Sequence, residues 1–185
     1  SDVYKRQVFV NKRNAIHYEN MSIALAESVA NQGQGFISSM AFGNGGTSVD
    51  PTGIITYLTP NSTGTNASLY NQTFTKIVDD RSVSNLDPQR NKIETRHVNG
   101  TNYTDVVVTC LLDYGEPNGQ DATDTASASD SLYVFDELGL TSYASSGTGK
   151  LLTHVIFHPV QKSLNRLIQI DYTVRVQSLT GFNEG

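Results

Sequence analysis

Apolar and polar positions alternate with a period of two along most of the chain, the pattern of half-buried β-strands. The cleanest stretch spans residues 103–112, where Val106, Val108, Cys110 and Leu112 stay in phase. Asn99-Gly100 precedes it as a hairpin turn, and residues 92–98 form a weaker strand on the other side. Residues 164–177 carry another long alternation, in which Leu164, Ile168, Ile170, Tyr172, Val174 and Val176 face a core. Gln169, Asp171, Arg175 and Gln177 then face water or a partner. Further strands are expected at 36–42, 54–58, 131–140 and 151–160. Another begins near Leu69, with Tyr70, Gln72, Phe74, Lys76 and Val78 on one side.

One segment breaks this rhythm. Residues 21–30 (MSIALAESVA) repeat apolar positions at helical spacing, with Asn20 as the expected N-cap and Gly33 as the stop. Ile23, Ala26 and Ala30, joined by Leu25 and Val29, make its expected apolar face. A helix this short needs a sheet to dock against. The expected fold is therefore mainly β, sandwich-like antiparallel sheets with one N-terminal α-helix packed on them. Its expected core is Leu25, Ile37, Met40, Ile55, Phe74, Val106, Val108, Cys110, Phe135, Leu152, Ile156, Ile170, Tyr172 and Val174.

The punctuation gives the domain plan. Gly43-Asn-Gly-Gly46 reads as a turn of residues that tolerate positive φ. Residues 59–68 and 116–130 are rich in Ser, Thr, Asn, Asp and Gly and read as long solvated loops. The reading is one β-rich domain over residues 8–178, with a short tail at 179–185. Residues 2–7, DVYKRQ, are what translation of a sequencing-library transposase end produces. Residues 1–7 are accordingly read as an adapter scar and kept out of the fold.

Composition narrows the function classes. Lys and Arg number 13 against 18 Asp and Glu, a net charge of −5, which disfavours a nucleic-acid binder. No stretch reaches the roughly 18 apolar residues of a membrane-spanning helix, so no membrane partner is expected. Cys110 is the sole cysteine, so no disulfide closes within the chain, and it reads as a small core hydrophobe.

Candidate chemistry is thin. Ser146-Gly-Thr-Gly-Lys150 lacks the first glycine and the closing Ser or Thr of a phosphate loop, and it leads into a strand. His154 and His158 on a strand would share a face with α-carbons about 13 Å apart, too far to share a metal, and read as sheet-surface or subunit-interface residues. His17 and His97 carry no pattern. Asp121, Asp124 and Asp130 do not match a calcium loop. Asp79-Asp80 and Asp136-Glu137 would point to opposite faces of a strand, poor general acid–base pairs unless the fold joins one from each. The six Asn-x-Ser/Thr triplets, at Asn20, Asn61, Asn66, Asn71, Asn99 and Asn102, read as chance in so Asn-, Ser- and Thr-rich a chain. Tyr57, Tyr70, Tyr103, Tyr133 and Tyr143 would suit sugar stacking, although tyrosines on strands are usually packing. No catalytic, cofactor-binding or metal residue is assigned, no cofactor is expected, and an enzyme, such as a two-carboxylate glycosidase, is the least favoured class.

One ordered set of segments has a counterpart elsewhere. A helix leads to ISSMAFGNGGT; YVFDELGL comes much later; KLLTHVIFHPVQKSLNRLIQIDYTVRVQ closes the domain. This order resembles the virion proteins of tailed bacteriophages, especially the tail-collar or tail-fibre attachment family. The positions that carry the resemblance are 40–46, 137–140, and Lys150, Leu151, Leu152, Phe157, Pro159 and Lys162. It implies a tail, baseplate, neck or fibre-attachment component that works by assembly, without catalysis. The implied partners are other virion proteins and further copies of itself, and the implied location is the virion, assembled in the bacterial cytoplasm. The other open reading is a carbohydrate- or receptor-binding β-sandwich module.

Overall fold

A computed structural model describes residues 15–118, 132–147 and 149–179. Among these residues, ten strands and one helix follow in the order β1 (Ala15–Ile16), α1 (Tyr18–Val29), β2 (Ile37–Gly43), β3 (Thr47–Val49), β4 (Ile55–Tyr57), β5 (Gln72–Ile77), β6 (Lys92–His97), β7 (Tyr103–Leu112), β8 (Leu132–Ser142), β9 (Thr153–Ser163) and β10 (Ile168–Gln177). The protein is mainly β, and all pairings are antiparallel.

Two sheets enclose one core. The first has strand order β1-β9-β8-β2-β5, the second β10-β7-β6. Met40, Phe42, Phe135, Leu140 and Phe157 from the first meet Val108, Cys110, Leu112, Tyr172 and Val174 from the second in a single buried cluster. The in-phase alternation of β7 and β10 contributes directly: inward side chains bury, while outward Asp105, Thr109, Asp171 and Arg175 make a polar face interrupted by the buried Val107 and Leu111. Phe42, Phe135 and Phe157 pack edge to face, with centroids 5.4 and 5.6 Å apart. Burial also pushes the Cys110 thiol up to about 12, as befits a core hydrophobe.

Several elements depart from expectation. The helix starts earlier, at Tyr18, and its cap is His17, whose Nδ1 accepts the Asn20 N–H at 3.1 Å. Its buried side is His17, Asn20 and Ala24, while Leu25 and Val29 are exposed. Polar anchoring chose this face: the Asn20 amide donates to the Leu151 carbonyl at 2.9 Å. At the other end, a Cβ on Gly35 would come within 2.5 Å of the Ala24 carbonyl. The expected strand at 54–58 is not core. It pairs with β3 as a separate two-stranded hairpin, and Ile55 is only half-buried. Pro159 does not end β9. Between Phe135 and Glu137 the β8–β9 register slips, and pairing resumes at Val160 beyond the proline. A bulge can hold a residue that has no N–H to offer the ladder.

Candidate functional site

The β8–β9 irregularity decides where the chain's buried charge goes. Asp136 and Glu137 are adjacent on β8, where a regular strand would point them apart. At the bulge both are buried and both reach the turn between β2 and β3. Asp136 Oδ1 accepts the Gly46 N–H at 2.9 Å. Its Oδ2 accepts the Thr47 N–H at 2.9 Å and the Thr47 hydroxyl at 2.5 Å. Glu137 Oε2 accepts Gly45 N–H at 2.8 Å and Asn71 N–H at 3.0 Å, and Oε1 accepts Tyr70 N–H at 2.8 Å.

His154, fully buried on β9, completes the cluster. Its Nδ1 accepts the Asn61 N–H at 2.8 Å, so the ring carries its proton on Nε2, which donates to Glu137 Oε1 at 2.8 Å. Desolvation alone would raise the Glu137 carboxyl, but His154 and the Asn71, Tyr70 and Gly45 amides outweigh it and hold the carboxyl below its ordinary value. With four hydrogen bonds, both carboxylate oxygens are saturated. The glycines of this turn serve close approach rather than unusual torsion, since none of Gly43, Gly45 and Gly46 has positive φ. A Cβ on Gly43 would lie 2.4 Å from the Asn71 carbonyl, and one on Gly45 would lie 2.8 Å from the Asn71 nitrogen.

The cluster also pins the polar segment 59–71. His17 Nε2 donates to the Gly64 carbonyl at 2.7 Å, and Asn61 is held by His154. The segment lacks regular secondary structure, yet it is not the free solvated loop expected from composition. His154 is likewise not a surface residue. His158 is exposed, with Nδ1 3.5 Å from the Tyr57 hydroxyl. Asp79 and Asp80 accept backbone N–H groups of Arg81 and Ile93, within the β5–β6 loop and at the start of β6. Asp121, Asp124 and Asp130 lie outside the described residues, as does most of the 116–130 loop. Among the described residues, no group of three His, Cys, Asp or Glu is placed to hold a metal ion. No helix among them is long and apolar enough to cross a membrane.

A second anchor lies at the far end of β9. The Lys162 ammonium is buried and donates to the carbonyls of Asp113, Glu116 and Ser163 at 2.9, 2.7 and 2.8 Å. Desolvation lowers its proton affinity, partly offset by Glu116 and Asp113. Sequence reasoning matched Lys162 to a motif and gave it no task. His17 was missed because a lone histidine carries no spacing signal, and His154 was misplaced on the sheet surface because only its spacing to His158 was weighed.

Two surface features can meet a ligand or partner. A groove of about 490 Å³ is lined by Ser39, Asn66, Gln72, Thr141, Tyr143 and Lys150 among others. Tyr143 stacks on Phe36 there, centroids 5.0 Å apart and planes 7° apart. Tyr133 is buried, and Tyr103 lies under the Arg175 guanidinium at 3.9 Å, so those two sequence candidates serve packing. The other feature is the outer face of the β6–β7–β10 sheet. Register sets Arg96 beside Asp105 and Asp105 beside Arg175 across it, and Lys92 beside Thr109 and Thr109 beside Asp171. A shallow concavity of about 490 Å³ covers part of this face.

Comparison of the chain with protein-family models, with curated proteins and with solved structures finds no match in any of the three.

Proposed function

We propose that this protein is a structural component of a tailed-bacteriophage virion, at the tail, baseplate or fibre attachment, and that it works by assembly rather than catalysis. The observation that carries the reading is the convergence of the segments that resemble that family. The turn at 40–46, the carboxylate at Glu137 and the β8–β9 hairpin are more than a hundred residues apart at the extremes, yet they form one clasp. β2 pairs with β8, Met40 opposite Leu140 and Gly43 opposite Glu137. Gly45 and Gly46 donate to the two carboxylates that follow Phe135. A motif whose parts meet in space is a folding unit, which is how a resemblance in scattered short segments gains weight. The saturated Glu137–His154 pair offers nothing to a substrate, which suits a protein whose working parts are surfaces.

The test is the mass in solution across a concentration series, by light scattering, followed by electron microscopy of the particles. A discrete closed oligomer is the expected result. A monomer at every concentration that binds glycans would overturn it in favour of a carbohydrate-binding module. That second reading is favoured by one observation, the hydroxyl- and amide-lined groove with the stacked Tyr143–Phe36 pair at its rim.

A further inference from the structure

We infer that the groove on the outer face of the larger sheet binds a short carbohydrate that carries a carboxylate, with Lys150 at the carboxylate and the Tyr143 ring against a sugar face. Such a site rests on the carbohydrate reading above, gives it a sugar class and contacts, and is compatible with assembly.

The floor of the groove is set by three adjacent strands. β2 runs between β8 and β5, and directly opposed residues share a face. Ser39 stands opposite Thr141 on β8, and Ala41 opposite Thr75 on β5. These four occupy the side of the sheet away from Met40 and Phe42, which are in the core. One wall is the polar segment at 65–69, and the other comes from Tyr143, Ala144 and Lys150 in the β8–β9 connection.

Both walls are held by the fold. The Gly64 carbonyl accepts from His17 and from the Ala67 N–H at 2.7 and 2.9 Å. The Asn61 amide donates to the Ser68 carbonyl at 2.8 Å, and Leu69 is buried against Ala41 and Leu151. Across the groove, the Ser142 N–H donates to the Lys150 carbonyl at 2.9 Å, and the Lys150 N–H donates to the Ser142 hydroxyl at 3.1 Å. The Tyr143 N–H donates to the Phe36 carbonyl at 2.7 Å, its carbonyl accepts the Gly35 N–H at 3.0 Å, and its ring stacks on Phe36. The aromatic face is therefore in place before a ligand arrives, which lowers the ordering cost of binding.

The lining selects the ligand class. The side chains of Thr65, Asn66 and Ser68 have no partner among the described residues. Hydroxyls and amides both donate and accept, as the neighbouring hydroxyls of a sugar do, and a rigid aromatic packs on the apolar face of a sugar ring. Lys150 is the only charged residue of the described lining, which contains no Asp or Glu, in a chain with 18 acids and 13 bases. Among the described residues, no ion pair engages it. A cation set among hydroxyls, with no acid of its own, suits a ligand that supplies the carboxylate. One cation is too little for a nucleic-acid strand, whose binding scales with the phosphates neutralised. The volume, about 490 Å³, is that of a small-molecule site.

The test is NMR titration of the isotope-labelled full chain with trigalacturonate and with sialyllactose, each beside its methyl ester. The ester keeps the rings and hydroxyls and removes the charge. At least one acid should shift the amides at 65–69 and at Thr141, Tyr143 and Lys150, and its ester should bind about tenfold more weakly. Lys150→Gln should bring acid and ester to the same affinity. Tyr143→Leu should weaken both about fivefold and leave their ratio unchanged. Lys92→Gln, on the other sheet, should change nothing, and an unaltered spectrum away from the groove shows that each variant is folded.

Absence of shifts with both acids at about 5 mM would overturn the site. Equal affinity of acid and ester would overturn the carboxylate assignment and leave a groove for neutral sugars. Shifts confined to the β6–β7–β10 face would overturn the groove while the carbohydrate reading stands. Binding of triglutamate, lost in Lys150→Gln, with no sugar bound would overturn the sugar in favour of an acidic peptide. Light scattering decides assembly independently of all four.

Discussion

The clasp around Gly43–Thr47 and the outer face of the β6–β7–β10 sheet both gather charged side chains, and they do so under different dielectric conditions. In the clasp, Asp136, Glu137 and His154 are buried, and every one of their polar atoms is matched to a backbone or side-chain partner. On the sheet face, Arg175, Asp105, Arg96 and Lys92 meet through neighbouring strand positions and remain wet. The same residue types therefore do different jobs. Inside, removing one partner strands the others without water, a cost far above the net worth of the pair. Outside, water replaces a lost partner, and what remains is direction: which strand pairs, and in which register.

Four variants or conditions would break or sharpen that contrast. Glu137→Leu should be the most damaging, because four donors lose their acceptor, the fully buried His154 among them; a loss of about 3–5 kcal/mol in urea unfolding is expected. Gly43→Ala should follow at about 1–3 kcal/mol by the same measurement, since the new methyl meets a backbone carbonyl that cannot turn away. Lys162→Met should cost about 2 kcal/mol by leaving three carbonyls unmatched, while retaining most of the side-chain volume. Arg175→Gln should shift the unfolding midpoint of the monomer least of the four, and moderate salt should erase the difference.

Acid titration separates the two regions in another way. The folded state lowers the Glu137 carboxyl, so its contribution is fully present above the ordinary carboxylate range. That contribution is lost as pH falls through the depressed folded value. The urea midpoint should therefore drop on acidification below about pH 5, and Glu137→Gln should flatten that limb. A limb of unchanged steepness in Glu137→Gln would place the acid sensitivity elsewhere.

What the sequence disclosed followed from one kind of regularity. Tyr103–Leu112 was readable to the residue because Val106, Val108, Cys110 and Leu112 keep phase, although Val107 and Leu111 on the other face are buried as well. The hairpin at Asn99-Gly100 was readable from turn chemistry, and Gly100 has φ of 86°. The clasp was hidden because the reading assigns Asp, Glu and His to water, and a bulge is a departure from the very period being read. The helix face was misjudged for a related reason. Leu25 and Val29 outscore Asn20 on any hydropathy scale, but Asn20 has a carbonyl waiting on the far side of the fold and they have no pocket. Pro159 was given too much force, because it lies in the β9 bulge opposite Asp136, where the ladder does not need its N–H.

The pairing of β2 with β8 sets a schedule for synthesis. Met40 leaves the ribosome about a hundred residues before Leu140, its partner in the middle of the larger sheet. At bacterial elongation rates that is a wait on the order of 5–20 s. During it β2 can find only β5, so the Gly43–Thr47 turn stays without its carboxylates and the core without most of its aromatics. The domain therefore closes only once β8 has emerged, and until then the nascent chain carries an open sheet edge on β2.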